Sequence, residues 1–335
     1  MEKNIVIVGS RSGGHILPGL AKGREAHAAG NKVYFIAEDR PLDHSLIERE
    51  PWLAGCYFMS LNIPCVRTWW KYPRYGLSLL AHIVRLMLLL RRWNTSRVVG
   101  MGGYSSVPVC CAAFLLRIPY ELHEFNAELG RAVYWLRHKA DAIVCCFPEA
   151  LKDVPARAQQ LGAYPVRYKA QDSIDCSHAR SMLGLLPHRF TLSILGGSQG
   201  SQALNMLIIS WLKTVPVEQR SLLQIVHQTG AQPEHVRNFY KEYGVSALVF
   251  DYADDLIPFY CAADVMVTRA GAGALHEVMH FQKRALIIPL ETAATHHQVS
   301  NAQAIQQRDP QRWTMIRQGV PDQIYAFLHD QLPKD

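Results

Sequence analysis

The sequence predicts an α/β protein made of two Rossmann-like parallel-sheet halves that face each other across a cleft. Short apolar β-rich runs alternate with helix-like segments along the whole chain, the pattern of parallel strands joined by crossover helices. One strand-to-helix turn is built twice: the run at 4–8 enters Gly9-Ser10-Arg11-Ser12-Gly13-Gly14-His15, and the run at 191–195 enters Gly196-Gly197-Ser198-Gln199-Gly200-Ser201. At 335 residues and 49% hydrophobic content, the chain exceeds one ordinary α/β core and has apolar material for two.

In chain order, the first half is expected to place strands near 4–8, 32–37, 56–61, 97–100, 119–123 and 142–147. Its helices start after Gly14, near Asp43, at Leu77, at Val107 and near Glu128. The second half places strands near 190–195, 222–227, 247–251, 264–268 and 285–289, apolar as suits sheets covered on both faces. Regularity is weakest at 152–189, where Pro155, Pro165 and Pro187 lie among polar residues, so the boundary belongs near 162–170. The expected division is 1–163, 164–320 and a closing helix over 321–335. Pro321 begins that helix, and Ile324, Phe327, Leu328 and Leu332 share one face.

Charge is unevenly placed. Between Glu50 and Glu121 there is no acidic residue, while Arg67, Lys71, Arg74, Arg85, Arg91, Arg92, Arg97 and Arg117 give a local +8 against +7 for the whole chain. Within this stretch, the apolar run 77–90 is preceded by Trp69, Trp70, Tyr72 and Tyr75 and followed by Arg91-Arg92-Trp93. It is too short and polar to span a bilayer, which needs roughly 20 apolar residues. Its inward Leu and Ile positions suit a core helix. Nucleic-acid binding is a weak reading, because so greasy a run does not suit a solvated groove. An interfacial element suits the rest: aromatic and leucine side chains among lipid headgroups, arginines on anionic phosphates, over residues 67–93. The eight cysteines include Cys110-Cys111 and Cys145-Cys146 in apolar runs, with no CxxC spacing, which predicts buried free thiols and no zinc site. Met1-Glu2-Lys3 leads straight into a strand, so no signal peptide is expected.

A glycine turn between a buried strand and a helix lets backbone N–H groups approach a phosphate, and the helix N-terminus adds partial positive charge. Neither turn has the lysine of a GxxxxGK[ST] loop or fits GxGxxG, so ATPase and simple dinucleotide readings are disfavoured. Further polar turns follow other strands, where ligands of open parallel sheets bind. These are Gly100-Met101-Gly102-Gly103-Tyr104-Ser105-Ser106-Val107-Pro108, His123-Glu124-Phe125-Asn126-Ala127, His227-Gln228-Thr229-Gly230, Arg269-Ala270-Gly271-Ala272 with Glu277, and His296-His297-Gln298 with Asn301.

In order and spacing these segments resemble the MurG family over nearly the whole chain. The resemblance implies a GT-B fold and an inverting, cofactor-free transfer of N-acetylglucosamine from UDP-GlcNAc to undecaprenyl-diphospho-muramoylpentapeptide in peptidoglycan synthesis. It implies a peripheral enzyme on the cytoplasmic face of the bacterial inner membrane, on an anionic surface, with wall-synthesis or division proteins as further partners. No nucleic-acid partner is expected, and no metal, since Asp254-Asp255 lack DxD spacing. On the donor side the resemblance puts Ser198 and its turn at the UDP diphosphate, Arg167 beside the nucleotide and Ala253 against the uracil. Glu277 would take the ribose hydroxyls, backbone groups of Ala272, Gly273, Ala274, Leu275 and His276 would cradle the nucleotide, and Gln298 and Asn301 would orient the sugar. Asn126 with Ser12, Gly13 and Gly14 would close over the donor. Arg11, His15, Gly102, Gly103 and Tyr104 would meet the acceptor.

The base for the acceptor hydroxyl is His15, with Glu124 second; the alternative is that His15 only binds acceptor and Glu124 braces its loop. Asn and Gln side chains in loops also commonly satisfy backbone groups. Departures from the family pattern are Arg11 in the first turn, Phe125 in place of Gln, Gly162-Ala163-Tyr164-Pro165 where GNP is usual, and a short region after Asn301. Competing readings are a GT-B enzyme on another lipid acceptor, a UDP-sugar epimerase, and a non-catalytic membrane-binding relative.

Overall fold

The structure, a computed structural model, describes residues 2–9, 13–60, 72–197, 200–230, 233–292 and 295–333. It divides into two compact units, 1–167 and 168–335.

The first unit runs β1 (Asn4–Val8), α1 (Gly13–Ala28), β2 (Lys32–Glu38), α2 (Pro41–Ile47), β3 (Gly55–Met59), α3 (Tyr72–Arg92), β4 (Arg97–Gly100), α4 (Ser106–Leu115), β5 (Tyr120–Glu124), α5 (Arg131–Leu136), β6 (Ala142–Cys145) and β7 (Gln159–Leu161). Its strands form a seven-stranded sheet in the order β3-β2-β1-β4-β5-β6-β7, every pairing parallel. The second unit runs α6 (Cys176–Met182), β8 (Phe190–Leu195), α7 (Gln202–Leu212), α8 (Val217–Leu222), β9 (Leu223–Gln228), α9 (Pro233–Glu242), β10 (Ser246–Phe250), α10 (Ile257–Cys261), β11 (Val265–Thr268), α11 (Ala272–His280), β12 (Arg284–Ile287), α12 (His297–Arg308), β13 (Trp313–Met315) and α13 (Pro321–Gln331). Its six strands, also all parallel, are ordered β10-β9-β8-β11-β12-β13.

Both sheets reverse their strand order beside their first strand, between β1 and β4 and between β8 and β11. At such a switch point the connections leave toward opposite faces and open a crevice at the carboxyl ends of the strands. Each duplicated glycine turn sits there, one after β1 and the other after β8. Apolar side chains fill the helix–sheet spaces: Val6, Val8, Ile36, Val98 and Leu122 with Leu86 and Leu90 of α3 in the first unit, and Ile194, Ile225 and Val267 with Ile208 and Trp211 of α7 in the second. Ile324, Leu328 and Leu332 add to the second core, and Phe327 packs partly buried against it.

The expected strands all fall within two residues of their bounds, the largest differences being at β3, β6 and β12, which stop two residues early at Met59, Cys145 and Ile287. β7 and β13 are additional; both are short edge strands, and β7 is exposed throughout, so neither leaves a hydrophobic run in the sequence. Helix α3 begins at Tyr72 rather than Leu77, since Pro73 suits a first helical turn. Cys110, Cys145 and Cys146 are buried free thiols, and Cys111 is half-buried.

Candidate active site

In the first unit two turns meet at the switch point. Gly9 leaves β1 with its amide on the Ile36 carbonyl at 3.1 Å, and a Cβ there would lie 2.8 Å from the His15 carbonyl oxygen, so only glycine lets α1 start this close. The turn after β4 is tied alongside by Met101 N–H donating to Val8 O at 2.8 Å, and Gly102 and Gly103 take φ of +82° and +75°. His15, half-buried near the start of α1, lies at hydrogen-bond distance, 2.6 Å, from the Met101 carbonyl through Nδ1. A carbonyl only accepts, so Nδ1 carries the proton and the neutral ring keeps its lone pair on Nε2. The Phe125 ring, buried, stands 6.2 Å from His15 and 6.1 Å from His123.

Glu124, at the end of β5, is buried as a loop hub. Oε1 accepts from the Asn126 amide at 3.0 Å and its Nδ2 at 2.9 Å, and Oε2 accepts from the Gly130 amide at 2.6 Å. Burial pushes its carboxyl up and these bonds pull it back. Asn126 is therefore oriented by Glu124. Tyr104 is half-buried with its ring 6.3 Å from that of Trp135. Gly13 and Gly14 open α1, while Arg11 and Ser12 lie outside the described residues.

In the second unit Gly197 and Gly200 take φ of +88° and +68°, and the Gly200 amide donates to Gly197 O at 2.9 Å. A Cβ on Gly200 would meet Thr229 O at 2.4 Å, so the turn presses against the loop after β9. Ser198 and Gln199, between these glycines, lie outside the described residues. Ser201 caps α7, its hydroxyl accepting from Leu204 N–H at 3.4 Å and from Arg269 at 2.7 and 3.2 Å. The sequence marks Arg269 only as the head of a turn. It is 5% exposed, donates otherwise to Ile288 O at 3.2 Å, and has no carboxylate in ion-pair range among the described residues. Burial lowers its affinity for the proton.

Beneath the same turn runs a closed chain of polar side chains. His227 meets Tyr240 OH through Nδ1 at 2.7 Å and Asn205 Oδ1 through Nε2 at 3.0 Å, and Asn205 Nδ2 donates to Thr229 O at 3.0 Å. The amide oxygen only accepts, so His227 is protonated on Nε2 and Tyr240 donates to Nδ1. Burial drives its pKa down to about 3.

Residues 272–276 form the first turn of α11, whose Gly271 cap supplies no side chain. His276 is buried with Nδ1 on Ala272 O at 2.8 Å and its pKa lowered by burial to about 4. Glu277, half-buried one residue on, accepts from Tyr260 OH at 2.7 Å, a partner that no sequence signal marks. Ala253 is half-buried in the loop after β10, and Arg167 half-buried at the end of the first unit. Gln298 Oε1 accepts from the Leu290 amide at 2.9 Å. Asn301 is fully buried, and Nδ2 donates to Ala270 O at 3.1 Å, bracing the turn before α11 from α12.

Glycine turns at the switch points of two parallel sheets, each opening a helix, define a protein of two nucleotide-fold units. The glycosyltransferase family 28 N-terminal domain matches residues 5–145 and the C-terminal domain residues 191–318. A UDP-N-acetylglucosamine–N-acetylmuramyl-(pentapeptide) pyrophosphoryl-undecaprenol N-acetylglucosamine transferase of Anaeromyxobacter dehalogenans strain 2CP-C is 32% identical, over 90% of this chain and 77% of its own. One of that name from Verminephrobacter eiseniae is 33% identical over 90% of this chain and 82% of its own. The chain belongs to this family, the MurG transferases. The crystal structure of Acinetobacter baumannii MurG superposes with a TM-score of 0.77 at 23% identity, covering 99% of this chain and 91% of that one, which shows the shared fold.

Proposed function

We propose that the protein transfers N-acetylglucosamine from UDP-GlcNAc to the muramoyl-pentapeptide carried on undecaprenyl diphosphate. The observation that carries this reading is the 32% identity across 90% of the chain to a transferase of that name. The chain's glycine turns at both switch points support it.

The donor reading puts the diphosphate on the turn 196–201. There the N–H groups at the start of α7 and its dipole stabilise the charge that develops on UDP as the anomeric C–O bond breaks. Arg167, Ser198, Ala253 and the start of α11 serve the nucleotide, with Glu277, held by Tyr260, accepting from the ribose. Gln298 bonds the sugar, and Ser12, Gly13, Gly14 and Asn126 complete the donor contacts. The acceptor reading uses Arg11, Gly102, Gly103 and Tyr104. His15 is the base: the acceptor hydroxyl passes its proton to Nε2 as its oxygen attacks the anomeric carbon, and Met101 O keeps that nitrogen basic. Glu124, committed to Asn126 and Gly130, acts as the brace.

The test is UDP release in the presence of both substrates. Turnover is expected to need both, and Glu277→Ala to lose about 100-fold in kcat/KM, the scale of two charge-assisted hydrogen bonds. Absence of UDP binding by calorimetry would overturn the proposal.

The proposal includes peripheral attachment to an anionic bilayer on the cytoplasmic face of the inner membrane. Helix α3 supports it: Leu77, Leu80, Val84 and Leu88 are 71%, 58%, 51% and 61% exposed along one stripe while Leu86 and Leu90 are buried on the other side. No described helix is long and apolar enough to cross a membrane. Arg67, Lys71 and the tryptophans at 69 and 70 lie outside the described residues.

A further inference from the structure

We infer that Glu38 is a positioning residue for the glycine turn after β4, acting through Ser105; this rests on the reading that the turn receives the acceptor. Ser105 occupies the cap position of α4, where a serine ordinarily turns its oxygen onto the first helical amides. Here its backbone is already helical, φ −66° and ψ −24°, and its side chain caps nothing. The hydroxyl, fully buried, instead donates to Glu38 Oε1 at 3.0 Å.

Glu38 is the last residue of β2 and 7% exposed, and its other oxygen, Oε2, is 2.8 Å from Arg40 Nε. A buried carboxylate held through both oxygens is a stiff anchor, because releasing either partner leaves a desolvated charge unsatisfied. The turn it holds has little stiffness of its own, with Gly102 and Gly103 both in the left-handed region. Its shape comes from its fastenings. Ser106 Oγ donates to Gly102 O at 2.7 Å, and the Ser106 and Val107 amides donate to Gly103 O and Tyr104 O at 3.2 and 3.1 Å. At the near end, Met101 is tied to β1 and carries His15 on its carbonyl. A Cβ at Gly102 would lie 3.2 Å from His15 Cε1. The turn therefore spans from Glu38 to the imidazole, and a shift at the Ser105 end displaces the surface offered to the acceptor.

Two readouts on the full chain test this. Ser105→Ala and Glu38→Ala are each expected to raise KM for the lipid acceptor about tenfold or more, the scale of one lost hydrogen bond to a charged group, with KM for UDP-GlcNAc within about twofold. The double variant is expected to be no worse than either single one, since both remove the same contact. Glu38→Gln, which keeps an oxygen for Ser105, is expected to retain most of the acceptor affinity. Independently of substrates, amide exchange of peptides covering 100–107 is expected to quicken in Ser105→Ala. Unchanged exchange there, an unchanged acceptor KM, or equal rises in donor and acceptor KM would each overturn the inference. A wild-type chain that never releases UDP would refute the functional reading alone, while the exchange rates would still show whether Glu38 holds the turn.

Discussion

Arg269 carries a charge that its described surroundings do not neutralise. A guanidinium taken from water costs several kcal/mol, which a carboxylate normally offsets, and here the acceptors are a serine hydroxyl and a carbonyl. The cation lies behind the N-terminus of α7, so the two positive fields add at the turn proposed for the diphosphate. Arg269→Met is expected to weaken UDP about tenfold or more in calorimetry, to leave uridine unchanged, and not to lower the melting temperature of the unliganded protein. Equal loss of UDP and uridine would show that Arg269 shapes the nucleotide site without acting on its charge. Phe125 and Tyr164, two departures from the family pattern, explain each other: their rings meet edge-on at 5.0 Å. An aromatic in place of glutamine is matched by an aromatic in the altered loop, a pairing visible only once the chain is folded.

At the scale of elements, the seat of the donor turn is the chain Tyr240–His227–Asn205–Thr229, which joins α9, β9 and α7. Its histidine must stay neutral in the folded protein. The sign of the pH effect follows: the unfolded chain takes up the proton near pH 6.5 and the folded one only near pH 3, so stability is full above 6.5 and falls as pH drops. His276 behaves likewise, with its folded value near 4. At pH 5 each costs about 2 kcal/mol, from 1.5 units at 1.36 kcal/mol per unit. Raised carboxyls in the first unit, Asp43 and Glu124, have the opposite slope. Amide exchange between pH 7.5 and 5 is expected to quicken in β9 and α11 relative to β1 and β5, and equal quickening in both units would contradict this assignment.

These elements also show what the sequence could tell. Parallel strands such as β1 and β8 are covered on both faces and leave apolar runs that read directly, and so do the glycines whose φ or crowding forbids a side chain. Residues acting through distant partners left no local trace: Tyr260 for Glu277 and Glu38 for Ser105 depend on sheet order. The bond from Asn301 to the Ala270 carbonyl is equally illegible, because an amide near a turn looks the same in sequence whether it faces a ligand or a buried carbonyl.

For the molecule as a whole, the unbalanced charge and one exposed helix face combine. The stretch without acidic residues, with eight cations, includes α3, whose Leu77, Leu80, Val84 and Leu88 are exposed. Arg85, Arg91 and Arg92 on the same helix are exposed. Burying an exposed leucine in the headgroup–acyl boundary contributes at most about 1.5–3 kcal/mol and each cation near anionic lipid about 1 kcal/mol, so the three exposed arginines of α3 supply about 3 kcal/mol and firm attachment needs the apolar stripe as well. Together they predict binding that needs both. Cosedimentation with vesicles containing about 30% anionic lipid is expected to retain the wild-type chain at low salt, and to lose it progressively toward 0.5 M salt as the Debye length shrinks to about 4 Å. Leu80→Glu with Leu88→Glu is expected to reduce retention more than tenfold, with the melting temperature unchanged because both side chains already face outward, and with KM for UDP-GlcNAc unchanged. Retention that survives both substitutions would move the membrane contact away from α3.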